Sequence, residues 1–152
     1  MQSNPKYEAI CVPPGLMQAM WPVAMPLFVY GAWQRREPPE EAGAQLKEAF
    51  ERCKAGTYQL WVCICTEPRS IRAACITEVQ DDAVVIYGLA GSDHDLWVQQ
   101  LDKAVGDFAK AEGKKAVRFN GRNGWGRVLE GNGYHAVRKI NEHHSVFERA
   151  VS

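Results

Sequence analysis

The segment from Ala83 to Tyr134 constrains the fold of this chain more than any other part of its 152 residues. It begins with AVVIYGLAG (Ala83 to Gly91), an apolar run that ends in a glycine turn, and a helical pattern follows directly. KAVRFNGR (Lys115 to Arg122) is then a second strand, and GWGRVLEGNGY combines a short helix with a Gly–aromatic pair. A helix that opens straight after a glycine turn is a common binding site for an anionic group. Because a helix joins the two strands, we expect the strands to be parallel.

The rest of the sequence predicts further strands and helices around this segment, within a single domain over residues 1–152. Alternating apolar residues between short turns indicate an antiparallel meander before the segment and a hairpin after it. The resulting order β–αα–βββ–α–β–α–ββ predicts an α+β domain with a mixed, mostly antiparallel sheet and helices on both faces. The predicted strands are Lys6 to Val12, Tyr58 to Thr66, Ile71 to Val79, Ala83 to Leu89, Lys115 to Asn120, His135 to Ile140 and Ser145 to Val151, and the predicted helices are Glu40 to Lys54, Ser92 to Glu112 and Trp125 to Glu130.

The run from Leu16 to Trp33 is almost entirely apolar and is long enough to span a membrane. Two interior prolines, Pro22 and Pro26, and the lack of a basic segment before the run argue against a membrane or signal segment. We therefore expect two short helical pieces, broken near the prolines, that pack on the sheet.

The charge and the cysteine pattern exclude several classes of protein. The net charge is zero, although the C-terminal quarter is basic, so a dedicated nucleic-acid binder is not expected. The five cysteines include no C-x-x-C pair, and an odd count without a secretory signal indicates reduced thiols in a cytoplasmic protein. Cys63 and Cys65 could form a metal site with His143 and His144, but small apolar side chains that fill a core explain the cysteines better, so no metal is expected.

The order of elements resembles that of the GNAT family of acyl-CoA-dependent N-acetyltransferases over essentially the whole chain. The most specific local match is a strand that ends in Asn120, a short helix, and then Gly133-Tyr134 before the next strand. The GRxGW-type segment that begins at Gly121 and ends at Trp125 looks closest to small GNAT-like proteins encoded by bacteriophages. The resemblance implies a GNAT-like acyl-CoA N-acyltransferase fold.

The resemblance also implies a place for acetyl-CoA, the cosubstrate of such enzymes. Its pantetheine arm would lie between the two parallel strands, and its pyrophosphate would contact the N–H groups that open the following helix. Arg118, Arg122 and Arg127 are candidate phosphate partners, although Arg118 also fits an ordinary solvent-facing strand position. The cofactor-binding residues that follow from the resemblance are Tyr87, Leu89, Gly91, Ser92, Asn120, Arg122 and Trp125.

The helix start departs from the family pattern, because Asp93 and Asp95 stand where a glycine-rich loop would admit phosphates. These carboxylates would repel a pyrophosphate, and ordinary helix capping is the better explanation of Ser92, Asp93 and Asp95.

Three residues are candidates for proton transfer. Glu78, near the end of the strand before the cofactor strand, is the first candidate base, and His94 is the second. Tyr134 is the candidate acid, although its place in the Gly–aromatic signature also fits a core position. His143 and His144 fit a solvated turn.

Two functional hypotheses remain open on the sequence. One is an N-acetyltransferase that transfers an acetyl group to a small-molecule or protein amine. The other is a catalytically inactive GNAT-fold module that binds a partner or forms part of a phage particle. Either protein would be located in a cytoplasm or a virion, without membrane or nucleic-acid partners, and an exposed strand edge makes a homodimer or larger assembly an expectation.

Overall fold

The computed structural model describes residues 7–34, 38–66, 69–91 and 94–151, without the side chains of residues 31–34 and 94–97. Within these ranges the chain forms one sheet of seven strands, with four α-helices packed on it. The strands lie in the order β1-β2-β3-β4-β5-β7-β6, and β4 with β5 is the parallel pair. The elements are β1 (Tyr7–Val12), α1 (Met17–Gln34), α2 (Pro39–Ala55), β2 (Tyr58–Thr66), β3 (Arg69–Val79), β4 (Ala83–Gly91), α3 (His94–Ala111), β5 (Ala116–Arg122), α4 (Gly126–Glu130), β6 (His135–Lys139) and β7 (His144–Ala150).

The predicted α+β class and order of elements are confirmed. The meander β2–β3–β4 and the hairpin β6–β7 are antiparallel, as expected from their short turns. α2 ends at Gly56, which adopts a left-handed conformation (φ 83°) that favours glycine. The sequence did not indicate that β7 inserts between β5 and β6 in the sheet.

The prediction of two helical pieces in the apolar run is wrong, because α1 continues through both Pro22 and Pro26. A proline inside a helix removes the N–H that would bond the carbonyl four residues earlier. Both prolines lie on the exposed side of α1, where water can bond the carbonyls of Gln18 and Pro22. Four residues at helical spacing keep the opposite side buried; they are Met17, Trp21, Ala24 and Phe28.

Two hydrophobic cores lie on opposite faces of the sheet. Val98, Leu101 and Val105 of α3 and Leu129 of α4 belong to one core. The buried side of α1, together with Ala49 and Cys53 of α2, belongs to the other. Four of the five cysteines are buried and form no disulfide, as the core explanation of the cysteines predicted.

The central parallel pair separates after four residues, and this separation creates the site. Ala83 to Ile86 pair with Ala116 to Phe119, and no pairing follows beyond Ile86 and Phe119. A bulge at the same point leaves Tyr87 without a partner on β3, because Thr77 pairs with Ile86 and Ile76 with Gly88. Bulges bend a strand, so the rest of β4 turns away from β5.

Candidate functional site

Two adjoining cavities occupy the opening between β4 and β5 and the space under α1 and α2. The first, of about 210 Å³, lies in the opening itself, and we call it the splay cavity. The second, of about 260 Å³, lies against α2, and we call it the helix-side cavity. Both cavities are lined by Phe28, Gln45, Tyr87 and Gly88, so they adjoin, and we call the two together the groove.

The splay cavity contains most of the residues predicted to bind the cofactor. Five of the seven line it; they are Tyr87, Leu89, Asn120, Arg122 and Trp125. Gly91 ends β4 opposite Ala73 and is not among the lining residues, and Ser92 lies outside the described residues.

Gly121 lies in the floor of this cavity beneath the ring of Phe119. A Cβ atom at Gly121 would lie 2.7 Å from Cζ of Phe119, well inside normal contact distance. The ring is buried and meets Trp125 edge-on, with 5.8 Å between the ring centroids. Glycine at position 121 therefore allows the Phe119 ring to fold over the backbone and shape the floor of the groove.

The three candidate phosphate-binding arginines differ in their surroundings. Arg118 is engaged by Asp82 (2.7 Å) and Glu148 (2.6 Å) and is therefore a structural residue. Arg122 lines the splay cavity, and its side chain has no hydrogen bond or ion pair within the described parts of the chain. Arg127 is exposed on α4, away from the lining of both cavities.

The helix-side cavity has aromatic walls and a hydrogen-bonded carboxylate beside it. Phe28, Tyr58 and Tyr87 line it, and the rings of Tyr58 and Tyr87 are 5.7 Å apart. The Tyr87 hydroxyl donates a hydrogen bond to Oε1 of Glu78 (2.8 Å) and accepts one from Nε2 of Gln80 (2.7 Å).

Glu78 is therefore brought to the site by Tyr87 and does not itself line either cavity. Burial and the hydrogen bond to Glu78 raise the pKa of Tyr87 to about 12, so this hydroxyl stays protonated at neutral pH. The Tyr87 hydroxyl thus donates to Glu78 and accepts from Gln80, and these two hydrogen bonds fix its orientation beside the cavity.

Tyr134, the candidate acid, lies in the core on the α3 face of the sheet. Its hydroxyl donates a hydrogen bond to Oδ1 of Asp102 (2.6 Å), and Nε of Arg149 pairs with Oδ2 of Asp102 (3.0 Å). Burial raises the pKa of Tyr134 well above its ordinary value, and the neighbouring Asp102 adds to the rise. The structure thus places Tyr134 in a network that joins α3 to β7, and it is not among the residues that line the groove.

His94 begins α3, but its side chain lies outside the described part of the structure, as does that of Asp95. The same holds for the whole of Asp93. The predicted roles of His94, Asp93 and Asp95 therefore stay predictions.

His144 is a groove residue that sequence reasoning assigned to a solvated turn. It begins β7, pairs with Arg122 across the strands, and lines the splay cavity. One signal in the sequence could have pointed to this role, because a histidine at the start of a strand can lie beside the end of the neighbouring strand. Knowing that β7 lies beside β5 required the tertiary structure.

Membrane-spanning helices and metal clusters are two further features that bear on function. Among the described residues, no helix has the length and hydropathy needed to cross a membrane. The same residues contain no cluster of three or more metal-ligating side chains.

Solved structures share this fold, although no protein-family model matches the sequence and no curated protein is significantly similar. The PaiA N-acetyltransferase of Thermoplasma acidophilum, in complex with coenzyme A, has a TM-score of 0.69 at 9% identity, over 95% of this chain and 99% of that one. A GNAT-family acetyltransferase of Staphylococcus aureus has a TM-score of 0.68 at 9% identity, over 97% and 100% of the two chains.

A GNAT-family acetyltransferase of Elizabethkingia anophelis with acetyl-CoA bound has a TM-score of 0.53 at 16% identity, over 64% of this chain and 78% of that one. At such low identities these likenesses concern the fold. The chain therefore has the GNAT acyl-CoA N-acyltransferase fold.

Proposed function

We propose that this protein is an acetyl-CoA-dependent N-acetyltransferase that acts on a compact amine. The observation that carries the proposal is the splay cavity between β4 and β5, joined through Tyr87 and Phe28 to a second cavity on the same groove. A transferase of this kind needs one place for the acyl donor and one for the acceptor, with the two reacting groups held together. Structures of the same fold with coenzyme A or acetyl-CoA bound support the assignment of the donor.

The residues present fit a pantetheine arm in the splay cavity. Beyond Ile86, β4 has no partner on its β5 side, so its backbone groups there are available to the amides of an extended ligand. Asn120 adds an amide side chain, and Arg122 supplies a cation without a partner among the described residues. When bound, acetyl-CoA would supply the activated acetyl group.

The helix-side cavity suits a small amine with an apolar body. A volume of about 260 Å³ is slightly below the range of about 300–1,000 Å³ found for small-molecule pockets, so the acceptor must be small. Aromatic faces attract cations, and the hydrogen bond to Glu78 holds the Tyr87 ring in place at the cavity wall. We assign Glu78 as a positioning residue, because it fixes Tyr87 without itself lining the cavity.

Calorimetric titration with acetyl-CoA tests the donor site. We expect micromolar binding that is lost when Gly91 is changed to a bulky residue. Arg122→Gln should weaken binding about tenfold, which is about 1.4 kcal/mol, because it removes a charge-assisted contact to a phosphate. Arg127→Gln is the matched control, since it removes the same charge from the exposed surface of α4. Equal affinities for the two variants would contradict the role of Arg122.

Glu78→Gln tests the acceptor site. The variant should raise KM for the amine and lower kcat/KM about tenfold, with acetyl-CoA affinity unchanged, because the charge behind Tyr87 is lost. A loss of kcat at unchanged KM would instead support Glu78 as the base.

The competing hypothesis is an inactive GNAT-fold module, with a phage particle as one setting. Its support is the acidic sequence Asp93-His94-Asp95 at the start of α3. No heat of binding up to millimolar acetyl-CoA would favour this hypothesis and refute the enzyme.

A further inference from the structure

His144 faces the splay cavity from the β7 side of the groove. Its Cα partner on β5 is Arg122, and directly opposite residues in an antiparallel pair project to the same face. Asn120, two residues before Arg122, projects to this face as well. All three residues line the splay cavity, and the His144 side chain is half-buried.

Asn141 determines which ring nitrogen of His144 carries the proton. Oδ1 of Asn141 accepts hydrogen bonds from the backbone N–H groups of His143 and His144, each at 2.9 Å. Two N–H donors identify this atom as the amide oxygen, which accepts and cannot donate. Nδ1 of His144 lies 3.2 Å from the same oxygen, and a hydrogen bond between these two atoms requires the Nδ1–H tautomer. In the neutral ring, Nε2 therefore keeps its lone pair on the edge away from Asn141.

The other described candidates for proton transfer are engaged elsewhere. Glu78 accepts hydrogen bonds from Tyr87 and Gln80 and does not line the groove. Tyr134 is buried and donates to Asp102 on the other face of the sheet. Among the described residues, His144 is the histidine that lines the groove, and its Nε2 has no hydrogen-bond partner among them.

We propose that His144 carries the proton from the acceptor amine to the leaving sulfur, an inference that rests on the acetyltransferase function proposed above. As the amine nitrogen bonds to the acetyl carbon, Nε2 of His144 accepts the proton that this nitrogen loses. As the carbon–sulfur bond breaks, the imidazolium returns this proton to the sulfur, which leaves as the thiol. One proton moves from nitrogen to sulfur, and the ring ends in its starting state.

Several charged and titratable groups surround His144. Arg122 lies directly across the strand pair, and Glu142 and His143 lie in the same turn. Lys139 of β6 pairs with the next residue of β7, and Tyr87 lines the same cavity. Because only a neutral imidazole accepts a proton, the proposed role makes kcat fall toward acid pH.

Long-range ¹H–¹⁵N NMR of the imidazole nitrogens tests the proposal without turnover. In the wild type, His144 should be in the Nδ1–H form at high pH, and Asn141→Ala should shift it toward the Nε2–H form. An Nε2–H form in the wild type would overturn the proposal, because the nitrogen proposed to accept the proton would already carry a hydrogen.

Thiol release from acetyl-CoA, with n-butylamine and 2-phenylethylamine as probes, tests the catalytic role. His144→Gln should lower kcat about 100-fold and abolish the acid limb of its pH profile, with acetyl-CoA affinity within about threefold of the wild type. His143→Gln is the matched control, since it removes the neighbouring histidine, which does not line the groove. Equal kcat values and pH profiles for the two variants would overturn the proposal.

The two failures can be told apart. A wild type that releases thiol, with His144→Gln as active as His143→Gln, overturns the role of His144 and leaves the proposed function standing. A wild type that does not bind acetyl-CoA, or that binds it and releases no thiol with either amine, overturns the proposed function and the proton-transfer role with it.

Discussion

Gly121→Ala is the most direct test of how the floor of the groove is built. The added methyl group would lie 2.7, 2.9 and 3.2 Å from three atoms of the Phe119 ring, whereas ordinary contacts begin near 3.4 Å. The ring must therefore move by several tenths of an ångström. It cannot do so freely, because it is 2% exposed and packs against Trp125.

We expect this overpacking to lower the free energy of unfolding by about 1–3 kcal/mol. For a domain of this size, that corresponds to a fall in Tm of about 2–12 °C. Urea unfolding followed by circular dichroism measures the first quantity, and a thermal scan measures the second. Acetyl-CoA affinity should fall in parallel, because the displaced ring enters the splay cavity.

Gly124→Ala is the matched control, since a Cβ atom there meets nothing within 4 Å. It should change stability by less than about 0.5 kcal/mol. In a Phe119→Leu background, where the clashing ring atoms are absent, Gly121→Ala should cost much less than in the wild type. If Gly121→Ala is as stable as Gly124→Ala, or if its cost is unchanged by Phe119→Leu, the reasoning is refuted.

Three further predictions concern parts of the structure outside the groove. Tyr134→Phe should lower the free energy of unfolding by about 1.5–3 kcal/mol, because the hydrogen bond to Asp102 is lost. At a temperature where the variant is folded, kcat should be unchanged. A loss of kcat under that condition would support Tyr134 as the acid. Burial raises the pKa of Asp102 from its ordinary value of 3.8, so the folded protein holds this proton to a higher pH than the unfolded chain does. The free energy of unfolding should then decrease as the pH rises from about 4 through the raised pKa. Urea unfolding at a series of pH values measures this dependence, and Asp102→Asn should lack it. Equal pH dependence in the variant and the wild type would contradict the burial argument. Pro26→Ala should raise the free energy of unfolding by about 1–3 kcal/mol, because it restores a hydrogen bond to the carbonyl of Pro22 in an exposed part of α1. A loss of stability would show that the proline is required there.

The local pattern of residues predicted most of the helices and strands, but it did not predict that α1 continues through both of its prolines. Short glycine- and proline-rich turns mark the ends of α2 and of the β2–β3–β4 meander, because their effect on the backbone is local. The two prolines of α1 misled the prediction, since their cost depends on whether the carbonyls that they leave unpaired face water. That exposure depends on which side of α1 packs on the sheet.

The residues of the candidate site were also predicted only in part, because some of their contacts depend on the tertiary structure. Tyr87, Leu89 and Asn120 were expected from the resemblance to GNAT proteins, and they line the cavity between the two parallel strands. Glu78 was correctly placed near the end of its strand, but its bond to Tyr87 depends on a bulge that no local pattern announced.

By itself, the sequence determined the order of strands and helices, the parallel central pair and the glycines that allow close turns. These features depend on residues that are near one another in the chain. Only the tertiary structure decided that β4 and β5 separate after Ile86, and that β7 inserts beside β5 and brings His144 to Arg122. Such contacts join residues far apart in sequence, and they depend on how the whole sheet satisfies its hydrogen bonds and buries both of its faces.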